Sequence, residues 1–595
     1  MDRNSAIGLT LMALLLLVYF YFFSPTPEPQ KNNPVTTTAT SVAKDSTVQK
    51  NSEPKIDSTA AKQYGSLGSF LIGKEEFTSV ENDVLKLTFS NHGTLSEVNL
   101  KNYKTYSQQP LLLAKNGNNK FSLNTAYNGQ PLDLYQLHYQ PAIEKQGDST
   151  LVTFTAKFSE SSFLKHVYSI PSKGYKIGYK IESQGVALTG KDLNFYWNDV
   201  IALQEKDLND SRNKTTINYY NTEGSFDGLS ESSADSKSLA EPLKWVAIKQ
   251  KFFLSAIFAE DKFTSSSLAI SYDAKDSSMV KKAEVNLSIP TEAIASKKAN
   301  FSYYFGPNDY KITKEVTEGF SRNMYLGWPP VIWVNKFLLM PVFNFLQTFI
   351  TNYGIIILLL VLFMKLLLMP LTYSSYMGMA KMRLLKPELD VIKEKNGDNM
   401  AQAQQDQMKL YKQVGVNPFA GCIPLLLQMP ILFSMFYLFP NSIDLRQQPF
   451  LWAEDLSTWD SILTLPFSIP FGYGNHVSLF VLLMTASQIV FQWQNNQIQT
   501  VQGPMKAMGY VMPLVFLFVL NSFSAGLSFY YFVSNLITFA QQAIIKRFVD
   551  EDKIMAIMDE NRKKSASGTS KKSKFMTKLE EAMKASEEAR KKGKK

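Results

Sequence analysis

Cysteine is almost missing from this chain of 595 residues: the only one is Cys422, in an apolar stretch. A single thiol forms no internal disulfide and builds no Cys-based zinc site. Histidine is nearly as scarce, and His92, His138, His166 and His476 lie scattered without the spacing of metal ligands. No paired carboxylates, no Ser/His/Asp set and no glycine-rich phosphate cradle occur in a credible context. Neither a metal, nor a cofactor, nor enzymatic chemistry is therefore expected.

Charge is distributed as unevenly as cysteine is rare. The formal net charge is +10, and residues 546–595 hold roughly 16 Lys/Arg against about 9 Asp/Glu, which is most of the excess. Apolar residues concentrate after residue 328. Length alone demands at least two domains.

Residues 6–23 form an unbroken apolar run, near the lower length that spans a hydrocarbon core. Aromatics at 19–23 and then Ser24-Pro25 follow it in place of a small-x-small cleavage pattern, which suits a retained anchor; a cleaved signal peptide is the rival. Residues 24–75, rich in Pro, Thr, Ser, Asn and Lys, read as a flexible linker. From 76 to 325 the period becomes two: Leu85, Leu87 and Phe89, then Val152, Phe154 and Ala156, then Ile177, Tyr179 and Ile181 alternate with polar residues. Turn residues separate these runs, which predicts a large antiparallel β domain of sandwich type.

Residues 326–352 are apolar but broken by Pro329, Pro330, Asn335, Lys336, Pro341 and Asn344, as in an amphipathic helix lying in a membrane interface. Spans are expected at 353–371, 420–439, 477–493, 510–523 and 526–545, the last two joined by a tight turn at 521–525. The loop at 372–421 carries Lys381, Arg383, Lys386, Lys393, Lys395, Lys409 and Lys412, whereas the loop at 441–476 has only Arg446. This asymmetry puts the first loop, the basic tail and both termini in the cytoplasm and the β domain outside it. The loop itself reads as a helical hairpin, 377–394 and 400–414 about Asn396-Gly397. Its Met377, Met379 and Met382 suit either variable apolar partners or packing against the sister helix.

Lys365 stands alone in the apolar residues 355–369. A buried ammonium costs at least about 2.5–3.5 kcal/mol on insertion scales. It either snorkels past Pro370 to the headgroups or faces a hydrated cavity. Ser528, Tyr531, Asn535, Thr538 and Gln542 recur at steps of three and four and so share one helical face. Thr485, Gln488 and Gln492 do the same in the preceding long span, and Gln428 lies in another. Such stripes either bond helix to helix or line a groove.

AKMRLLKPELD at 380–390, VNPFAGCIPLLLQMPILF at 416–433, DLRQQPF at 444–450 and FYYFVSNL at 529–536 make residues 326–550 resemble the YidC/Oxa family. WVAIKQKFFLSAIF at 245–258 resembles the periplasmic domain of its Gram-negative form. The resemblance implies an α-helical integral membrane bundle, one anchor plus a five-helix insertase core at 353–548 with the hairpin at 373–415, and a periplasmic all-β supersandwich. It implies a multi-pass inner-membrane insertase and chaperone, working alone or with the Sec translocon on nascent membrane proteins. Lys365 takes a position where many relatives have arginine, keeping the charge but losing the bidentate fork. The implied groove comprises Lys365, Gln428, Gln488, Gln492, Ser528, Tyr531, Asn535, Thr538 and Gln542. Ile423, Met429, Pro430 and Phe433 form the implied slide for the substrate's apolar segment. The tail at 549–595 is expected either to meet ribosomal RNA, or to be a solvated charge run or a contact with anionic lipid of the bilayer. Rival readings are a small-molecule transporter or flippase, though no internal repeat is visible, and a scaffold acting through its outer domain.

Overall fold

A computed structural model describes residues 62–186, 188–296, 298–397, 399–417, 423–469, 473–498 and 504–567. The anchor at 6–23, most of the linker, Cys422, the side chain of Ile423 and the tail beyond residue 567 lie outside the described residues. The chain divides into two compact units, with the boundary between Tyr325 and Leu326.

Among the described residues the strands of the first unit all pair antiparallel, in sheets of four, nine and six strands, with short helices between them. Strand Phe163–Pro171 buries every second residue, as does Asp192–Ala202. That is what a pleated surface with one core face requires. The two larger sheets meet through Trp197 of the six-stranded sheet, whose ring lies 6.4 Å from that of Phe305 in the nine-stranded sheet. Leu85, Leu87, Phe89, Val152, Phe154, Ala156, Ile177, Tyr179 and Ile181 are all buried. The 245–258 motif falls on strands Leu243–Lys249 and Phe253–Phe263. It lacks alternation because both its faces are covered: Trp245, Leu254, Ala256 and Phe258 pack with Phe320 from the segment after the last strand. A 3₁₀ segment, Lys62–Leu71, lies within the stretch expected as linker, and its Leu67 and Leu71 are buried. Order thus begins earlier than composition suggests, because two leucines suffice to dock it.

Two buried ionisable groups of this unit matter below. The His166 imidazole sits between two tyrosine hydroxyls, Tyr179 at 2.8 Å from Nδ1 and Tyr139 at 3.1 Å from Nε2. With no carboxylate beside it, burial pushes it down to about 3. Asp199 lies opposite Asn119 in the six-stranded sheet. Its Oδ2 has no partner, and burial pushes the carboxyl up to about 7 against one hydrogen bond from Asn119.

The second unit is helical. Residues 331–347 form one helix with a π turn at Asn335–Leu339. Val331, Asn335, Leu339 and Phe343 are buried, while Trp333, Phe337 and Phe345 are exposed. Among the described residues nine further α-helices follow: α1 Tyr353–Leu367, α2 Met369–Leu384, α3 Lys386–Asn396, α4 Met400–Val414, α5 Ile423–Leu438, α6 Leu479–Ile498, α7 Pro504–Leu520, α8 Ala525–Phe548 and α9 Glu551–Ala566.

Among the described residues no single helix is long and apolar enough to cross a membrane; α1 and α2 are so together, across a bend of 60°. The reasons differ from helix to helix. α1 is strongly apolar but only 15 residues long. Pro370, at the start of α2, lacks the N–H needed to carry the helix through. α8 has 24 residues, about 36 Å at 1.5 Å per residue, but its polar stripe dilutes its hydropathy. The expected hairpin arm at 377–394 is likewise two helices. It breaks at Leu385 because Pro387 opens α3. The turn at Asn396-Gly397 stands as read, with Gly397 at φ 47°.

Candidate functional site

α8 packs against both α1 and α6, and the polar side chains meet there. Lys365 does not run to the helix end: its Nζ donates to Thr538 Oγ1 at 2.9 Å. Thr538 in turn donates to the Ser534 carbonyl at 2.7 Å. Gln541 Nε2 donates to the backbone carbonyl of Lys365 at 2.9 Å. Nearly one turn closer to the start of α8, Asn535 Nδ2 donates to Ser487 Oγ of α6 at 2.8 Å. α6 and α8 also carry four buried side-chain oxygens that accept no hydrogen bond among the described residues: Thr485 Oγ1, Gln488 Oε1, Gln541 Oε1 and Gln542 Oε1.

An unpaired buried acceptor costs about 1–3 kcal/mol, and such groups normally carry ordered water. Four of them on the two packed helices α6 and α8, with no carboxylate ion-paired to Lys365 among the described residues, make this seam a polar interior. Its walls are three helices, so the positive charge is held by geometry and not by a countercharge.

The remaining expected residues are less tightly gathered. Ser528 is buried near the start of α8, and Tyr531 is half-buried with its ring 5.7 Å from that of Tyr530. Gln492 turns toward α7, where a Cβ on Gly509 would lie 2.3 Å from its Nε2. Gln428 is half-buried on α5, and no hydrogen bond joins it to the Lys365 cluster among the described residues. On α5, Met429 is exposed, the Pro430 carbonyl accepts from Ser434 Oγ at 2.7 Å, and the Phe433 ring lies 6.5 Å from Trp328. Sequence reasoning missed Gln541 and Ser487. Gln541 falls three residues after Thr538 on the same stripe, so the signal was present; Ser487 adjoins Gln488 and is too common a residue to stand out.

The hairpin carries a partner that sequence reasoning did not assign. Residues 551–566, read as the start of a basic tail, are helix α9, and Ile554 and Met558 of α9 are buried. They complete a core with Ala380, Leu385, Leu389, Leu410, Tyr411, Val414 and Val416. Met377 and Met382 pack against this core, so they serve the packing reading. Arg562 forks onto Glu388 at 2.8 and 2.9 Å, Arg383 pairs with Glu551, and Asn561 Nδ2 donates to the Val414 carbonyl at 3.2 Å. Exposed pairs of this kind contribute about 0–1 kcal/mol each, so the apolar contact holds the helix. Replacing Ile554 by Asp is therefore expected to free α9 and speed amide exchange in 551–566 and 386–414 by about ten-fold or more, since an unpaired buried carboxylate costs several kcal/mol. Arg562→Ala should leave that exchange nearly unchanged in the same hydrogen–deuterium measurement.

The chain thus joins a helical unit with a polar seam at Lys365 to a large β-sandwich unit. Family comparison gives its class. The model described as "60Kd inner membrane protein" matches residues 345–552, and that of the "YidC periplasmic domain" matches 78–341. The membrane protein insertase YidC of Amoebophilus asiaticus is 43% identical over the whole of both chains; that of Cytophaga hutchinsonii is 42% identical over 99% of this chain and 98% of its own. A solved active YidC insertase aligns with 80% of this chain and 93% of its own at 18% identity and a TM-score of 0.33. The chain belongs to the YidC family of membrane protein insertases.

Proposed function

We propose that this protein inserts integral membrane proteins into the inner membrane and helps them fold and assemble, alone or with the Sec translocon. The observation that carries the mechanism is Lys365 on Thr538, with four unsatisfied acceptors on α6 and α8. On this reading the seam between α1, α6 and α8 is a hydrated groove. It lowers the desolvation cost of bringing a substrate's polar end partway across the bilayer. Lys365 attracts acidic groups at the leading end, while the apolar segment passes Met429, Pro430, Phe433 and Ile423 into lipid. Ser528, Tyr531, Asn535, Thr538, Gln542 and Gln488 supply exchangeable hydrogen bonds along the way; Gln428 and Gln492 serve at its margins.

The Lys/Arg asymmetry of the short loops supports cytoplasmic termini and a periplasmic β unit. In this arrangement the hairpin of α3 and α4, with α9 docked on it, is the face that receives a chain from the ribosome. The lipid-facing helix at 331–347 lies along the interface. The test is reconstitution of the purified chain in liposomes with a newly synthesised single-span substrate. Protease protection of the substrate's leading segment above that of empty liposomes is the expected result. Equal protection in both would overturn the proposal.

A further inference from the structure

The segment between α5 and α6 contains a β-hairpin, Leu463–Ile469 paired antiparallel with Gly474–Val477. Its two strands are anchored very differently. On the returning strand, the Tyr473 and His476 carbonyls accept from Asn521 Nδ2 at 2.8 and 2.7 Å. His476 Nε2 donates to the Asn521 carbonyl at 2.9 Å, and its ring stacks on Trp459 at 3.6 Å. Asn521 belongs to the turn joining α7 to α8, so this strand is fixed to that turn. The outgoing strand, LTLPFSI, has no fully buried residue; Phe467 is 61% exposed, Leu463 57% and the preceding Ile462 51%.

A two-stranded hairpin is marginal in water, and an exposed apolar edge strand there is a liability. Charge is the usual protection for such an edge, yet residues 461–505 contain no Asp, Glu, Lys or Arg. The patch also continues an apolar surface. The Tyr473 ring lies 5.4 Å from Phe518 of α7. Phe518 follows Val511 and Leu514 at steps of three and four, and all three are exposed. The hairpin therefore sits at the level of the last turn of that stripe. Pro466, lacking an N–H, leaves one fewer unpaired donor on the free edge.

We infer that the outgoing strand beds in the lipid interface of the outer leaflet, with Ile462, Leu463 and Phe467 among the acyl chains and headgroups. The inference rests on the membrane reading of α7 given above. Neutral, aromatic and proline-bearing, the strand has the composition of an interfacial anchor. It would hold the α7–α8 turn at fixed depth while a substrate passes the groove beside α8.

The test uses the full chain with Cys422→Ser, which removes the sole native thiol, and a polarity-sensitive fluorophore on Phe467→Cys or Leu463→Cys. The protein is placed in phosphatidylcholine vesicles with or without nitroxide-bearing lipid. Expected are a blue-shifted emission and its loss to headgroup-proximal nitroxides, as for a label on Leu514→Cys, with no quenching of a label on Tyr106→Cys in the β unit. Quenching at 514 but water-like emission at 467 and 463 would overturn the hairpin inference while leaving the membrane reading intact. Emission that is blue-shifted yet unquenched would show a protein partner on the strand and overturn it too. No quenching even at 514 would mean that the membrane reading itself had failed.

Discussion

Lys365→Glu is expected to cut insertion of substrates with an acidic leading segment by about ten-fold or more, and of neutral ones by less than about three-fold. One unit pair at about 8 Å and an effective dielectric of about 20 is worth about 2 kcal/mol, a factor of about 30, and reversal turns attraction into repulsion. The local fold has reason to tolerate the change, since Thr538 Oγ1, which now accepts from Nζ, can rotate to donate to a carboxylate. Lys365→Arg should retain activity toward both substrates, and Lys365→Gln should fall between. Protease protection in reconstituted vesicles measures all three. Equal loss for acidic and neutral substrates would show that the residue acts through packing and not through charge.

The second large effect concerns the β unit and two titrations of opposite sign. His166 falls from about 6.5 in the unfolded chain to about 3 in the fold. The unfolded chain therefore takes up its proton first as pH drops, and stability is lost between about pH 6.5 and 3. Asp199 rises from 3.8 to about 7. The fold binds that proton more tightly, so stability is lost as pH rises from about 3.8 to 7. At about 1.36 kcal/mol per pH unit each group carries of the order of 4 kcal/mol, and between pH 4 and 6.5 the two slopes nearly cancel. Asp199→Asn removes one of them. The variant is expected to gain about 3–4 kcal/mol of β-unit stability at pH 8 and to become visibly acid-labile below pH 6.5. Tm against pH for the full chain in detergent, followed on the β-unit transition, checks both halves. A variant that loses stability at pH 8 would mean that Asp199 is held ionised by a partner.

Much of this molecule is legible in its residues, and the misses have physical causes. Strand alternation at 85–89, 152–156 and 177–181 marks one-sided burial, but the motif at 245–258 hides its strands because both its faces are covered. Hydropathy reads 353–371 as one span, since a windowed average does not register the backbone break that Pro370 imposes. Helix α9 is obscured because only Ile554 and Met558 anchor it within a charged run, too few to lift the average. Gln492 shares a helical face with Gln488 by spacing, yet it reaches α7 because its depth along α6 selects a different neighbour. Asp199 and His166 are unremarkable in sequence; their burial arises only when strands far apart in the chain close over them.

The sequence by itself determined which half of the chain forms sheet and which forms helix, the sign and placement of its charge along the chain, and the family. These depend on periodicity, composition and short-range order. Only the tertiary structure decided what each polar group touches. Lys365 meets Thr538 across 173 residues of chain. Whether an ammonium snorkels or turns inward depends on which helix lies beside it, and four acceptors are left open by packing that no local pattern encodes. The physical reason is that solvation and hydrogen bonding are settled by neighbours in space, whereas periodicity records only which side of an element faces away from water.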